Sequence, residues 1–406
     1  MARLTKEELD KIKENYHTDR IWSWSRVNTF MTSPYEYYLS YVLHAREDRT
    51  DCAYAPLGTI AHDTLDAYYE GDIQYNDMID RFEDGWLTTI DIADLKLDRN
   101  DEEKDVKLKA KYKENLELFF RNHVTYKNRL LIEKPVIANI SGNVFVGYID
   151  ALYKDDDGFY NVLDFKTSSI YKGKTLEEHA GQLTLYSIGL AQAGIPMDKI
   201  RACFNFLKYV TIQYEQKNGA IKDRTVERCK VGESLQTNAK MWLKELGYAD
   251  EADDYLKMML DANSIAVLPE DVQAKYKIED CHVYIPLDQE SIDKWVNLID
   301  TTIKDICLRE KDYAENGSEN AFWDTDENVE AQSYYFATLS GYSASQHKPY
   351  AAYLDKLEAK KNGMDLFGGV GDNVESDEIV STIVTTGAKN AQDDSINLDW
   401  LDSIEI

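Results

Sequence analysis

A short segment in the middle of the chain constrains the fold more than any other part of the sequence. Two β-like runs, which contain Gly147 to Asp150 and Asp164 to Thr167, are separated by Asp155-Asp156-Asp157-Gly158. Asp and Gly favour a chain reversal, because Asp side chains hydrogen-bond to the nearby backbone and Gly accepts left-handed backbone angles. The sequence therefore predicts a β-hairpin at this point.

The predicted hairpin gathers three charged side chains at one edge of a sheet. Side chains two positions apart on a strand share a face, so Asp164 and Lys166 project together, and the turn brings Asp150 beside them. Carboxylates are hard oxygen ligands suited to Mg²⁺ or Mn²⁺. A neighbouring lysine can orient an attacking water or stabilise charge that develops on a phosphate. The segment therefore predicts a candidate divalent-cation site with a lysine beside it.

Asp150 followed by Asp164-x-Lys166 resembles the core motif of the PD-(D/E)xK nucleases, and its surroundings resemble the RecB-like branch. Three further segments carry this resemblance: Gly58-Thr59-Ile60-Ala61-His62 upstream, Gln182-Leu183-Thr184-Leu185-Tyr186 downstream, and an opening formed by Ser23-Trp24-Ser25 and Ser33-Pro34. Asp-x-Lys alone is a weak signal. The combination is fairly specific, because all the segments occur in the family's order within residues 23–210.

The resemblance implies an α/β fold with a restriction-endonuclease-like core, in which helices flank a central mixed sheet. It also implies a role for each matching residue. The catalytic residues would be Asp150, Asp164 and Lys166, the metal ligands His62, Asp150, Asp164 and the carbonyl of Phe165, and the substrate-binding residues Ser25, Gln182 and Tyr186. In the family, the residues that match Gln182 and Tyr186 either contact DNA or hold the fold together.

The residue types of His62 and Glu133 do not by themselves decide whether these two residues belong to the site. His62 lies near the start of a predicted helix, 57–69, where a lone histidine is more often a core or surface residue than a ligand. Its assignment as a ligand therefore rests on the resemblance. Glu133 lies on a predicted strand, 130–139, from which it could help to position metal or water. An exposed strand glutamate is the slightly preferred alternative.

The sequence predicts neither an iron–sulfur cluster nor ATP hydrolysis. Relatives with a cluster carry one cysteine near the amino terminus and three near the carboxyl end, whereas Ser33 stands at the first position here. The five cysteines are widely spaced, so we expect free thiols and no zinc site. Gly173-Lys174-Thr175 is similar to the end of a phosphate-binding loop, but Ser168 stands where that loop needs glycine.

Composition divides the chain of 406 residues into two predicted parts. We expect a nuclease domain over 1–361, with a helical insertion at about 72–128, and a disordered acidic tail over 362–406, where Lys389 is the only basic residue. Residues 364–367 and 398–402 of the tail are candidate docking peptides for a replication or repair protein. No apolar run approaches the length of a membrane span, and the charged start lacks a signal core, so we expect a cytoplasmic protein.

The net charge of −28 opposes the DNA partner that the resemblance implies, because DNA-binding proteins usually carry a basic surface. Net charge does not decide the character of a local groove, however. The preferred function is a metal-dependent DNA nuclease, more specifically an exonuclease, in recombination, repair or phage DNA metabolism. The alternatives are a non-catalytic DNA-binding or assembly subunit and an acidic DNA mimic.

Four tyrosines near the amino terminus also allow two interpretations. Tyr35, Tyr37, Tyr38 and Tyr41 could stack on bases, but a helix that packs its aromatic face into the core is the preferred interpretation.

Overall fold

A computed structural model describes residues 3–365, which form a mixed seven-stranded sheet flanked by helices. The strands are β1 (Ile21–Trp22), β2 (Leu131–Ile140), β3 (Asn143–Lys154), β4 (Tyr160–Lys166), β5 (Ile200–Glu215), β6 (Ile221–Glu227) and β7 (Tyr276–Tyr284). Their order is β1-β3-β4-β5-β6, with β2 also pairing with β3 and β7 with β5. The α/β fold class predicted from the sequence is confirmed.

Parallel and antiparallel pairings alternate across this sheet. Strand β3 runs antiparallel to β2 and β4, and β5 runs antiparallel to β6 and β7. Strand β4 is parallel to β5, and β1 is parallel to β3. A parallel pair needs a crossover connection, which here contains two helices between β4 and β5.

Fourteen α-helices surround the sheet within the described residues. They are α1 (Lys6–Tyr16), α2 (Trp24–Thr32), α3 (Pro34–Tyr37), α4 (Tyr54–Glu70), α5 (Asp77–Trp86), α6 (Glu102–Arg121), α7 (Lys174–His179), α8 (Gly181–Gln192), α9 (Val231–Glu245), α10 (Ala252–Ala262), α11 (Glu270–Gln273), α12 (Gln289–Asn316), α13 (Asp326–Ala331) and α14 (Lys348–Asp365). The region 72–128 contains α5 and α6.

The central hairpin forms as the sequence predicts. Gly158 has a φ of +81°, and its N–H donates to the Asp155 carbonyl at 3.0 Å. The Asp155 side chain accepts hydrogen bonds from the backbone N–H of Asp157 and Phe159, at 3.1 and 2.9 Å. These local bonds set the register in which Ala151 lies opposite Leu163.

Side-chain alternation along the strands divides the core into two layers. On β5, Phe204 and Phe206 face a cluster that includes α2, α8 and α12, whereas Cys203 and Leu207 face a cluster formed with α4, α5 and α6. The far half of β5 packs on a smaller third cluster with α9 and α10. Because side chains alternate along a strand, the two main clusters cover opposite faces of the sheet.

The structure decides the tyrosine question in favour of the core. Tyr35, Tyr37 and Tyr38 are 1%, 0% and 5% exposed, and their rings contact each other, Phe30 and Phe322. Tyr41 is half-buried beside them. Base stacking by the first three is therefore excluded in this conformation.

One predicted helix is divided in the structure. The sequence predicts a single helix over 178–194, whereas the structure has two helices, α7 and α8, which meet at Ala180. Helix α14 ends at Asp365. The docking peptide at 398–402 and most of the predicted tail lie outside the described residues. Among helices of residues 3–365, none has the length and apolar character needed to cross a bilayer.

Candidate active site

The hairpin places the three predicted catalytic residues side by side. Asp150 on β3 accepts a hydrogen bond from the Phe165 N–H of β4, at 3.0 Å from its Oδ2. Asp164 is 2% exposed, and its Oδ2 lies 2.5 Å from the Lys166 ammonium nitrogen. The acid–acid–lysine arrangement that the sequence predicts is therefore present in the middle of the sheet, just past the last β3–β4 pair, Ala151 with Leu163.

His62 reaches these residues from α4, which packs on one face of the sheet. Its Nε2 lies 2.8 Å from the Phe165 carbonyl oxygen, which can only accept, so Nε2 carries the proton of this hydrogen bond. In the neutral ring, Nδ1 then has a free lone pair, and it faces Asp150 Oδ2 at 3.6 Å. The Phe165 carbonyl, expected as a metal ligand, accepts a hydrogen bond from His62 in this arrangement.

Glu133 completes a group of three ligand-bearing side chains. It sits opposite Asp150 across β2 and β3, since the flanking pairs are Ile132 with Ala151 and Lys134 with Ile149. Ligand atoms of His62, Glu133 and Asp150 all lie within 4.8 Å of one another. Asp164 is outside this group, the one such group among the described residues.

The backbone of Glu133 is strained. Its φ of +49° lies in the left-handed region, which costs a residue with a side chain roughly 1–2 kcal/mol. Strain of this kind is concentrated at functional sites, where the surroundings hold the residue in place. The left-handed residue interrupts the regular alternation of β2, so this strand carries a local irregularity opposite Asp150.

Burial and like charges raise the pKa values of the two carboxyls in this group. Burial raises the pKa of Asp150 well above its usual range, and the charge of Asp164 adds to this, while Lys166 opposes it. Burial also raises the pKa of Glu133. The group offers two carboxylate oxygens and one imidazole nitrogen, and the negative charge of its carboxylates is poorly compensated. These are the properties of a divalent-cation site. The residues present therefore fit Mg²⁺ or Mn²⁺.

Lys166 is held in its charged form by its neighbours. Burial by itself lowers the pKa of a lysine, but the charge of Asp164, reinforced by that of Asp150, raises the pKa of Lys166 above its ordinary value. Its ammonium group is thus a fixed positive charge at neutral pH. Asp164 anchors that charge through the 2.5 Å ion pair.

A cleft of about 570 Å³ opens over these residues. Asp150, Lys166 and Glu133 line it, together with the predicted substrate-binding residues Ser25, Gln182 and Tyr186. Gln182 Nε2 donates to the Tyr186 hydroxyl at 3.0 Å. The Tyr186 ring packs directly on Gly147, where a Cβ would come within 2.3 Å of its Cε1. The Gln182–Tyr186 pair thus lines the cleft and also joins α8 to β3.

A family model agrees with this geometry. The model of the PD-(D/E)XK nuclease superfamily matches residues 21–306, which is more than half of the chain. The chain belongs to the PD-(D/E)XK nuclease superfamily. The match spans β1 to α12 and includes every residue of the site described above. No curated protein matches the chain. Nucleases of this superfamily generally use divalent metals, in agreement with the donor set found here.

Sequence reasoning missed one further carboxylate near this candidate site. Asp66 follows His62 by one turn of α4, and burial raises its pKa to about 8, with a further contribution from the charge of Glu133. A spacing of four residues places two side chains on the same helix face. The spacing of four residues could have identified Asp66, because a side chain on the His62 face of α4 points toward the same strands as His62.

Proposed function

We propose that this protein is a Mg²⁺- or Mn²⁺-dependent DNA nuclease of the RecB-like type, more specifically an exonuclease, in recombination, repair or phage DNA metabolism. One observation carries the proposal: His62, Glu133 and Asp150 place their ligand atoms within 4.8 Å of one another beside the Asp164–Lys166 pair. A metal-binding group and a fixed ammonium at one edge of a cleft are the two parts that phosphodiester hydrolysis requires.

His62, Glu133 and Asp150 would hold the cation, with His62 contributing Nδ1. When bound, such an ion lowers the pKa of water and neutralises charge that grows on a phosphate. The Phe165 N–H fixes the orientation of the Asp150 carboxylate, and the Phe165 carbonyl fixes the His62 ring through its Nε2–H. Both ligands are therefore oriented by one backbone residue between Asp164 and Lys166.

Lys166 has a separate task in this mechanism. Its ammonium is charged at neutral pH and lines the cleft, so it orients the attacking water or the scissile phosphate by hydrogen bonding. Asp164 limits the directions available to this ammonium. The buried Asp164 thereby acts as the positioning partner of Lys166, in addition to any metal contact that the resemblance implies.

The RecB-like assignment rests on the two flanking motifs. Gly58 to His62 supplies the metal-facing histidine, and the pair Gln182 and Tyr186 lines the cleft that contains Asp150. The exonuclease and pathway assignments come from the resemblance alone. Of the alternatives, a DNA mimic is favoured by the charge of −28, whereas an intact acid–acid–lysine group is unexpected in a mimic or in a non-catalytic subunit.

A digestion assay on the full-length protein tests the proposal. Linear and circular DNA, each single- and double-stranded, is incubated with Mg²⁺ or Mn²⁺, with and without a chelator. We expect metal-dependent hydrolysis that begins at ends and spares circular DNA. The Lys166→Ala variant, purified in parallel, should be inactive and so exclude a contaminating nuclease. Intact DNA in every condition would refute the nuclease proposal, and cleavage of circles would refute the exonuclease assignment.

A further inference from the structure

Three helices wall the cleft above the carboxylates. Trp24, Asn28 and Met31 lie on successive turns of α2 and line it. Gln182 and Tyr186 of α8 and Trp295 of α12 also line it. The resulting cavity of about 570 Å³ is in the range of pockets that enclose single small ligands, roughly 300–1,000 Å³.

Two indole rings meet inside this wall. The ring centroids of Trp24 and Trp295 are 5.6 Å apart, and the ring planes are at 71°. Both rings press on the backbone of Gly181, where a Cβ would lie 2.1 Å from Trp24 Cη2 and 2.6 Å from Trp295 Cζ3. Only glycine leaves room for the two indoles at the first turn of α8, next to Gln182.

The two rings differ in their exposure. Trp295 is 6% exposed and serves as a buried support, whereas Trp24 is partly exposed and lines the cleft that Lys166 lines. Glycine at 181 and a buried edge-on neighbour fix the orientation of the Trp24 ring. An aromatic surface held rigid beside a phosphate-binding group is the combination with which proteins grip single-stranded nucleic acid.

We propose that Trp24 stacks on a base of the bound strand, so that the cleft accepts an unstacked nucleotide, from a single strand or an opened end, in place of a paired one. This inference rests on the proposed function, because the site below Trp24 must hold the phosphate of the same strand. A base within a duplex is already stacked on both sides, so it must leave that stack before it can pack against Trp24. Stacking on Trp24 imposes no base sequence, since every base has a π face.

Binding of two short oligonucleotides tests this role directly. One is single-stranded oligothymidine, and the other has the same length and backbone but lacks every base. With a chelator present to keep the strands intact, we expect Trp24→Leu to weaken binding of oligothymidine by roughly 5- to 140-fold, the loss of one stacked base. The same substitution should leave binding of the abasic strand unchanged. The matched control is Trp323→Leu, at a tryptophan that is 37% exposed and does not line the cleft.

Other binding results would overturn the stacking role of Trp24 or separate it from the nuclease proposal. Equal weakening on both strands, or no weakening on either, overturns the stacking role and leaves Trp24 as a packing residue. If Trp24→Leu fails to fold, the wild-type protein still decides: stacking should quench a 2-aminopurine placed in the strand, and an unquenched, bound strand refutes the proposal. If base-dependent binding is found but metal supports no hydrolysis, the nuclease proposal fails and the Trp24 site stands. If metal supports hydrolysis but binding does not depend on the bases, the nuclease proposal stands and the stacking role of Trp24 fails.

Discussion

Asp150 is a carboxylate in surroundings that penalise its own charge. It is buried, it faces the charges of Asp164 and Glu133, and the compensation comes from Lys166 and one backbone N–H. A group whose folded-state pKa is raised favours the folded state at low pH, and this contribution is lost as pH rises. In the absence of metal, Asp150 therefore lowers the stability of the protein at neutral pH.

Asp150→Asn should consequently stabilise the metal-free protein. Asparagine keeps the oxygen that accepts the Phe165 N–H but carries no charge, so we expect the free energy of unfolding at pH 7 to rise by roughly 1–3 kcal/mol, the usual range for one buried substitution. The gain should shrink toward pH 4, because the folded Asp150 is then neutral and the carboxyl of the unfolded chain, with an ordinary pKa of 3.8, is nearly half protonated. Urea unfolding at both pH values measures it, with Asp253→Asn as a control at an exposed ion pair. A loss of stability at pH 7 would contradict the assigned electrostatics.

Individual site residues were predictable to different degrees. Asp150, Asp164 and Lys166 follow from a local hairpin and its two-residue periodicity, which a sequence displays directly. The sequence slightly favours Glu133 as an exposed strand residue. Its left-handed backbone and its position opposite Asp150 depend on how β2 pairs with β3, which the sequence does not display. The influence of Glu133 on the pKa of Asp66 depends on how a helix and a strand far apart in sequence pack together, which the sequence does not display.

At the scale of elements, the contact between β3 and α8 joins the two halves of the site. Gly147 allows the Tyr186 ring to lie on the strand, which also fixes Gln182 over the cleft. The hairpin and α8 were recognisable from sequence, because turn residues and helical spacing are local. The short strand β1 was not, since it exists only through its pairing with β3. The sequence predicts a strand over 200–210, and β5 continues to Glu215 because its far half pairs with β6 and β7.

Gly147→Ala should loosen this contact. The added Cβ would overlap the Tyr186 ring at 2.3 Å, so we expect a loss of roughly 1–3 kcal/mol in the free energy of unfolding, as for other overpacked sites. The matched control is Gly58→Ala, where a Cβ meets nothing within 4 Å inside helix α4 and stability should be unchanged or higher. Adding Tyr186→Leu to Gly147→Ala should recover part of the loss. Equal urea midpoints for Gly147→Ala and the wild type would show that the ring moves away freely.

At the scale of the whole molecule, a buried polar network joins the amino-terminal helices to the carboxyl-terminal segment. Ser33 Oγ donates to Asp324 Oδ2 at 2.6 Å and lies 3.0 Å from His347 Nε2. One turn later, Glu36 accepts hydrogen bonds from Tyr335 and from Ser340, the latter at 2.9 Å. The network thus holds residues 324–347 against the helices that follow α2.

This network should make stability depend on pH. Burial raises the pKa of Glu36 from 4.5 to about 7, although Tyr335 and Ser340 oppose the shift. Its contribution is complete below pH 4.5 and is lost as pH rises through 7, an amount of roughly 3 kcal/mol at 1.36 kcal/mol for each pKa unit. Glu36→Gln should remove this slope from urea unfolding measured between pH 4.5 and 7.5. A variant whose slope equals that of the wild type would show that Glu36 keeps its charge when buried.

The central claim is that His62, Glu133 and Asp150 hold the cation on which DNA hydrolysis depends. The most direct measurement is the initial rate of hydrolysis of a short single strand as a function of Mn²⁺ concentration, for the wild type, Asp150→Asn and Asp253→Asn. We predict saturation for the wild type and the Asp253 control. For Asp150→Asn we predict a rate at least about 100-fold lower at every metal concentration, because even the partners that orient a metal ligand are worth about 10- to 100-fold. A wild-type rate that is independent of Mn²⁺, or an Asp150→Asn variant as fast as the control, would contradict the claim.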